Sequence, residues 1–464
     1  MREEGREAQY RRIWSRSPRM ARALEASLPP EEDTLALVGS YVLAPALGSF
    51  VQWLLQEAVK SGIRRLYFLA RDGYFPYRAA LIFCEKRRLP MECRYLSCSR
   101  YSLRLPLFHL DREEALDYVC RGGIDVTMDK ILSRAGLTEE EKREVFRRLS
   151  LSFLPEEVLP HAELPEIRRR LGACGAFLSY MDGHSRAALP GLTGYLRQEG
   201  LLDDFPDAVV DSGWVGSVQK SLRDALARMG RTRPLAGYYW GLYELPSGVS
   251  REEYHTYYFA PEGDLGAKLR FNNCLFEAVY TAPHGMTLSY RREGERFVPR
   301  YGRIGEEKKA FVERLEEYLL SYIRRLADTE EKLPDADAVR EDRRVVRDLL
   351  GRFMGRPSRK EAELFGSLPF SDDVLEGKER PIAAPLTGEE LDAHRLLPKL
   401  ALMAGLRKGS LRESAWHEGS VVRSGRRVRR RLRQYRLYQA ARQLRKMLRF
   451  RKERGRKDER RTTA

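Results

Sequence analysis

Leu66-Tyr-Phe-Leu-Ala-Arg-Asp-Gly-Tyr-Phe-Pro-Tyr77 is an apolar run that stops at a charged, glycine-containing turn and then opens a second apolar stretch. A short continuous apolar run bounded by such a turn reads as a strand buried on both faces, the mark of a parallel sheet. In open α/β sheets, ligands bind just beyond the carboxyl ends of the strands. Asp72 therefore marks the expected place of chemistry, with Arg71 and Gly73 beside it.

The flanking sequence extends the same pattern. Residues Pro76 to Lys86 predict a helix, with proline in the first turn, where its missing N–H has no partner to lose. Cys93 to Ser99 predicts a second strand and completes a right-handed βαβ unit. The sheet pattern resumes at Ala208-Val-Val-Asp-Ser-Gly-Trp-Val-Gly-Ser-Val-Gln219, where Asp211 again ends an apolar run and a helix is expected from Ser217 to Met229. Leu235–Tyr243 and Tyr254–Ala260 read as further strands, whereas 106–205 shows only helical periodicity. The expected fold is α/β, a Rossmann-like parallel sheet with a helical cap insertion and a helical C-terminal region. Its parts are an N-terminal helical segment (1–60), two portions of the core (61–105 and 206–300), the cap (106–205), the C-terminal helices (301–420) and a basic amphipathic tail (421–464).

The first thirty or so residues are polar and basic and predict a loosely docked arm. Leu35 to Leu55 carries no charge and is long enough to span a bilayer, yet it contains Pro45 and runs almost directly into the Leu66 strand. A buried, proline-interrupted helix pair is the expectation there. The six cysteines are scattered without Cys-x-x-Cys or metal-ligand spacing, which predicts reduced thiols rather than a disulfide framework or zinc site. The N-terminus lacks the apolar segment of a secretory signal, so the expected location is cytoplasmic.

The chain's net charge of +17 is local, because nineteen Lys and Arg stand against three acids between Arg423 and Arg461. The near-neutral remainder does not suggest a nucleic-acid-binding fold. Within the tail, Val428, Leu432, Tyr435, Tyr438, Ala441, Leu444 and Leu448 recur at three and four spacing. A basic amphipathic helix of this kind suits an anionic surface, placing the protein peripherally at the inner membrane face. Nucleic acid or a polyanionic polymer is the competing, less favoured partner, and packing of the apolar stripe on the protein's own core is the plain alternative.

Asp72 and Asp211 form the strongest constellation: on neighbouring strands their carboxylates would share one sheet edge and hold Mg²⁺, and each alone could merely cap the helix that follows. Gly213, Gly216 and Ser217 precede a helix whose free N–H groups suit an anion. Trp214 offers a stacking surface or a core plug. Ser97, Ser99, Arg100 and Arg104 follow the second strand, where a hydroxyl and a guanidinium fork would bind phosphate. His284 and Glu277 are weaker candidates, and the histidine reads as structural.

Leu69-Ala-Arg-Asp-Gly-Tyr74, the Ser97–Arg100 strand end and Val210-Asp-Ser-Gly-Trp-Val-Gly-Ser-Val-Gln219 resemble a group of large bacterial proteins assigned to the haloacid-dehalogenase-like hydrolase superfamily, many associated with surface-polysaccharide synthesis. The resemblance extends from about residue 35 to Ser420 and includes Trp416-His-Glu-Gly-Ser420. It implies a Mg²⁺-dependent phosphohydrolase or phosphotransferase acting on a phosphorylated sugar or related metabolite, with a glycosyltransferase as an expected partner. Asp72 would match the aspartyl nucleophile, Ser99 or Ser97 the phosphate-holding hydroxyl, and Asp211 the second metal ligand. The phosphate-binding lysine has no single match; Lys130, Lys220 or Arg100 are candidates. Two residues after the nucleophile, where the superfamily places an acid/base aspartate, stands Tyr74, whose ordinary pKa of ~10 makes it a poor base; with the register shifted, Ala70 falls at the nucleophile position. Two alternatives stay open. Asp211-Ser-Gly-Trp-Val-Gly-Ser217 also resembles the ribose-phosphate loop of type I phosphoribosyltransferases, and the pocket could belong to a non-catalytic accessory protein of a glycosyltransferase.

Overall fold

The computed structural model describes residues 5–27, 33–123, 126–151, 153–329, 331–370, 380–403 and 414–462. At its centre are five parallel strands: β1 (Arg65–Leu69), β2 (Glu92–Leu96), β3 (Asp207–Trp214), β4 (Ala236–Leu242) and β5 (Tyr254–Phe259). Their order is β2-β1-β3-β4-β5. The chain leaves β1 in one direction to form β2, then crosses to the other side of β1 to form β3. The switch point therefore lies between β1 and β3, where the crevice of a doubly wound sheet opens.

Every residue of β1 is buried: Leu66–Leu69 as their apolar run requires, and Arg65 in ion pairs with Glu92 and Asp203. Phe68, Val210, Tyr238 and Trp240 join the larger core on one face of the sheet. Tyr67, Leu69 and Val209 join the core on the other. Between β2 and β3 lies the expected helical insertion, including Arg112–Val119, Met128–Arg134, Glu139–Leu149, Leu164–Ala173 and Gly175–Gln198, with its own apolar cluster around Met128, Ile131 and Phe177. Helix Met128–Arg134 is capped by Thr127; Ile124 and Asp125, within the predicted helical stretch, lie outside the described residues.

Four expectations need correction. The N-terminal arm is firmly docked: helices Arg6–Trp14 and Pro18–Glu25 bury Tyr10, Trp14, Met20 and Leu24 in the main core. Tyr10 donates to Glu361 at 2.6 Å, and Arg6 pairs with the same carboxylate at 2.6 Å. The apolar residues recur at helical spacing, and the intervening arginines hid them in a count of charge.

Second, Thr34–Lys60 is one continuous helix, not a pair. A π-helical turn at Gly39–Leu43, in which the Ala44 N–H reaches back to the Gly39 carbonyl, absorbs the irregularity just before Pro45. The helix is apolar enough to cross a membrane, but 89% of its most apolar window is buried inside the protein. Gly39 and Gly48 let it lie against Leu315, Tyr322 and Leu326 of helix Glu306–Thr329.

Third, β3 does not end at Asp211. Its ladder with β1 stops at Val210, but its ladder with β4 continues to Trp214. Asp211 and Ser212 thus stand on an overhang beyond β1, and Gly213 and Trp214 belong to a strand rather than to the turn before the helix. Fourth, the 206–300 portion closes with an antiparallel hairpin, β6 (Thr287–Glu293) and β7 (Arg296–Tyr301), outside the parallel sheet. Gly294-Glu295 makes its two-residue turn, with Gly294 at φ 60°.

The C-terminal helix, Val428–Thr462, splits the predicted stripe into two faces. Leu432 and Tyr438 are buried, and Val428 packs with Leu432. Leu437, Leu444 and Leu448 are 55%, 49% and 56% exposed on the opposite side, in line with exposed Ala441. Leu437, Ala441, Leu444 and Leu448 follow the three-and-four spacing of a single helix face. The side chains beyond Leu448, and residues 463–464, lie outside the described residues.

Candidate functional site

A cleft of about 240 Å³ opens at the switch point between β1 and β3. The turn Ala70–Asp72 forms one wall, the overhang Asp211–Trp214 a second, and Ser99 and Arg100 a third. Met286 and Thr287, at the foot of the hairpin, and Glu277, on helix Asn273–Val279, complete it. The two aspartates that the sequence singled out therefore share one cleft, together with a third carboxylate.

The turn holds its shape by close packing. A Cβ on Gly73 would lie 2.5 Å from the Leu69 carbonyl oxygen, so only glycine lets helix Tyr74–Arg87 start directly over the end of β1. Asp72 accepts a short hydrogen bond from the Ser212 hydroxyl, which fixes the carboxylate across the gap between the strands. Asp211 accepts from the Ser212 backbone N–H at 2.9 Å. Glu277 accepts from the Trp214 indole N–H.

Burial and mutual repulsion set the electrostatics. Burial raises Asp72 above the usual carboxylate range, opposed by the Ser212 hydrogen bond and the charges of Arg71, Arg100 and Lys308. Asp211 is raised well above its ordinary value, first by burial and then by the Asp72 charge. Glu277 is pushed up to about 7 by burial and by Asp72. Three carboxyl groups crowded in this way cannot all ionise cheaply, which is the condition for binding a cation or sharing protons.

Other expected residues have structural duties. The Ser99 hydroxyl donates to the Thr287 carbonyl at 2.7 Å and caps helix Arg100–Arg104 from the Ser102 N–H, so it lines the cleft with its proton committed. Ser97 is engaged with Tyr301 at 2.7 Å. Tyr74 does not line the cleft: its hydroxyl donates to Glu316 at 3.1 Å and its ring packs on Tyr95. Trp214 lines the cleft but is wedged among Phe259, Phe271 and Phe276 with its N–H bonded to Glu277, so it is a core plug rather than a stacking platform. Arg104 bonds Ser221 and Lys220 pairs with Asp224, and neither is in the cleft lining. His284 bonds Tyr95 at 2.8 Å and stacks on Tyr301, a structural histidine as expected.

Gly216, at φ 72°, leads into helix Ser217–Arg228, whose first residues Ser217 and Val218 line the cleft. No side chain caps that helix N-terminus, so its N–H groups and positive dipole end stand at the cleft. Arg100 lies at the rim with no ion pair among the described residues.

Three participants were missed or undervalued. Ser212 had a visible signal, a hydroxyl directly after a strand aspartate. Glu277 needed the fold to bring it in from sixty-odd residues away. Lys308, near the start of helix Glu306–Thr329, gives no motif at all; it stands out only because its charge acts on Asp72.

The cleft also bears on Mg²⁺. Among the described residues no three His, Cys, Asp or Glu side chains form a ready metal cage. Mg²⁺ is usually held by one or two carboxylates with waters and substrate phosphate supplying the rest, and Asp72 and Asp211 meet that requirement. Compared with protein-family models and with curated proteins, the chain gives no match.

Proposed function

We propose that the β1–β3 cleft is the active site of a phosphohydrolase or phosphotransferase acting on a small phosphorylated substrate. The observation that carries this reading is the convergence of Asp72, Asp211 and Glu277 on one cleft that also holds cationic groups and a helix N-terminus.

The cationic groups act first. Arg100 and the N-terminus of helix Ser217–Arg228 draw the phosphate into the cleft, with Arg71 and Lys308 adding positive potential at Asp72. The Ser212 hydroxyl orients Asp72 for attack on phosphorus. As the Asp72 oxygen–phosphorus bond forms, the bond to the leaving oxygen breaks, and protonated Glu277 supplies the proton that oxygen needs. Water then adds to the phosphorus of the aspartyl phosphate, returns a proton to Glu277 and frees Asp72. Mg²⁺, bound by Asp72 and Asp211, would supply charge neutralisation of the phosphoryl oxygens. Glu277 thus takes the acid/base part for which Tyr74 is misplaced. A phosphorylated sugar and a glycosyltransferase partner rest on the family resemblance alone.

The test is Mg²⁺-dependent phosphate release across a panel of sugar phosphates and p-nitrophenyl phosphate. A group that must be protonated acts below its pKa, so with Glu277 at about 7 the rate falls as pH rises through neutrality. The groups facing it are Asp72, which raises it, the Trp214 N–H, Arg100 and Arg71, which lower it, and Asp211, which Glu277 itself pushes up. Glu277→Gln removes that limb and lowers kcat by about 10²-fold. Retention of the limb in the variant, or no phosphate release from any substrate, would refute the assignment.

The location we propose is an anionic membrane surface. Support comes from the exposed Leu437–Leu444–Leu448 stripe with exposed Arg430, Arg433 and Arg445 along the same helix, since apolar side chains among arginines suit lipid better than nucleic acid. Phosphatidylglycerol vesicles should sediment the protein and phosphatidylcholine vesicles should not. Leu437→Ser/Leu444→Ser/Leu448→Ser should release it; sedimentation unaffected by those changes would count against the lipid face.

A further inference from the structure

A second concavity shares no lining residue with the cleft. It measures about 410 Å³ and is ringed by Arg12, Arg16, Arg270, Arg352, Arg356 and Arg436. These come from four separate stretches of chain: the end of the first helix and the residues after it, the segment after Leu265–Lys268, the end of helix Ala336–Phe353, and the C-terminal helix. Six guanidiniums gathered from four segments are not the solvated face of one helix.

Among the described residues the lining holds little counter-charge, and Arg12 already has a partner of its own. Asp348 is the one acid in the lining, 2.7 Å from Arg16 and 3.9 Å from Arg270. Arg436 donates to the Gly355 carbonyl at 2.9 Å and feels the Glu418 charge. The guanidiniums of Arg352 and Arg356 have neither a hydrogen bond nor an ion pair among the described residues. Burial, followed by neighbouring arginines, pulls Arg352 and Arg436 below the ordinary arginine value. Like charges held together in a concave site focus a positive potential that an anion relieves.

Arginine is the side chain suited to this task, because its planar fork grips phosphate oxygens in pairs. The volume falls within the roughly 300–1,000 Å³ typical of small-molecule sites and exceeds what one inorganic anion fills. We propose that this basin is a binding site for a small, multiply phosphorylated anion, gripped by Arg352, Arg356 and Arg436. It is distinct from the cleft, and its occupancy does not depend on the reaction assigned there.

The probe is inorganic tripolyphosphate, titrated calorimetrically into the full chain at fixed ionic strength. The expected result is a saturable site that Arg352→Gln/Arg356→Gln weakens by at least about tenfold, the loss of two charge-assisted contacts. Arg100→Gln, in the cleft, should leave this site unchanged. Arg356→Gln alone, at an exposed position, should weaken it by several-fold and serves if the double variant does not fold. Undiminished affinity in these variants overturns the proposal. So does equal competition by sulfate, or binding of heparin and RNA without binding of tripolyphosphate.

Discussion

Asp72→Asn should lower kcat/KM for phosphate release by about 10³-fold or more, about 4 kcal/mol of transition-state stabilisation. The substitution keeps the shape of the side chain and can still accept from the Ser212 hydroxyl, so the fold should survive. It removes the charged nucleophile and, with it, one of the two carboxylates available to Mg²⁺. The loss should fall mainly on kcat, because the arginines and the helix N-terminus that draw in phosphate are untouched. Removing a negative charge should also lower Glu277 from about 7, since Asp72 is one of the groups holding it up. A variant that loses only substrate affinity would identify Asp72 as a binding group and leave the covalent step without support. Steady-state kinetics with p-nitrophenyl phosphate across pH 5 to 9 separates the two outcomes.

Gly213→Ala should have the largest effect on stability. Gly213 sits at φ 132°, where L-residues are strained, and a Cβ there would run into the Gly241 carbonyl of β4. Neither strand can move easily, because Trp214 is anchored in an aromatic cluster and Gly241 is itself packed under the Phe259 ring. Backbone strain and overpacking together predict a loss of about 3 kcal/mol or more. Urea unfolding monitored by tryptophan fluorescence would show it as a lower midpoint. An unchanged midpoint would mean that the overhang of β3 is not held against β4 as described. Gly213 was read from the sequence as an anion-binding glycine; its structural task is to let β3 continue past β1.

The parallel sheet was legible because burial on both faces leaves no choice of pattern. Leu66–Leu69 and Ala208–Val210 are apolar runs, and both lie buried in strands; β1 keeps to its predicted limits within a residue or two, whereas β3 runs on to Trp214. The helical insertion was legible for the complementary reason, a sustained period near 3.6 without β-branched runs. The hairpin was not, because solvent-facing arginines interrupt the apolar positions Tyr290, Phe297 and Pro299 and leave no clean period of two. The tail's apolar spacing was recognised but assigned to one stripe. Burial divides it, since Leu432 and Tyr438 face the protein and Leu437, Leu444 and Leu448 face solvent.

The site shows the same division between local and long-range information. Asp72 and Asp211 could be found because each ends an apolar run, and adjacency of the two strands was the one thing the fold had to supply. Ser99 reads two ways, because a strand-end serine and a helix-capping serine look alike in sequence; it lines the cleft while bonded to Thr287 and Ser102. Tyr74 occupies the position where a carboxylate was sought, but helix Tyr74–Arg87 turns it toward Glu316. Restoring aspartate there would place a carboxylate outside the cleft. Glu277 and Lys308 carry no local signature, because their relation to Asp72 exists only after helices far along the chain have packed over the sheet.

Transfer of the phosphoryl group to Asp72 can be read by acid-quenched mass spectrometry during turnover of p-nitrophenyl phosphate with Mg²⁺. The expected result is a phosphorylated species whose modification maps to Asp72 and is absent from Asp72→Asn. That species should accumulate in Glu277→Gln, where the water that cleaves it has lost its base. Turnover with no modified peptide, or a modification mapping to any residue other than Asp72, would contradict that transfer.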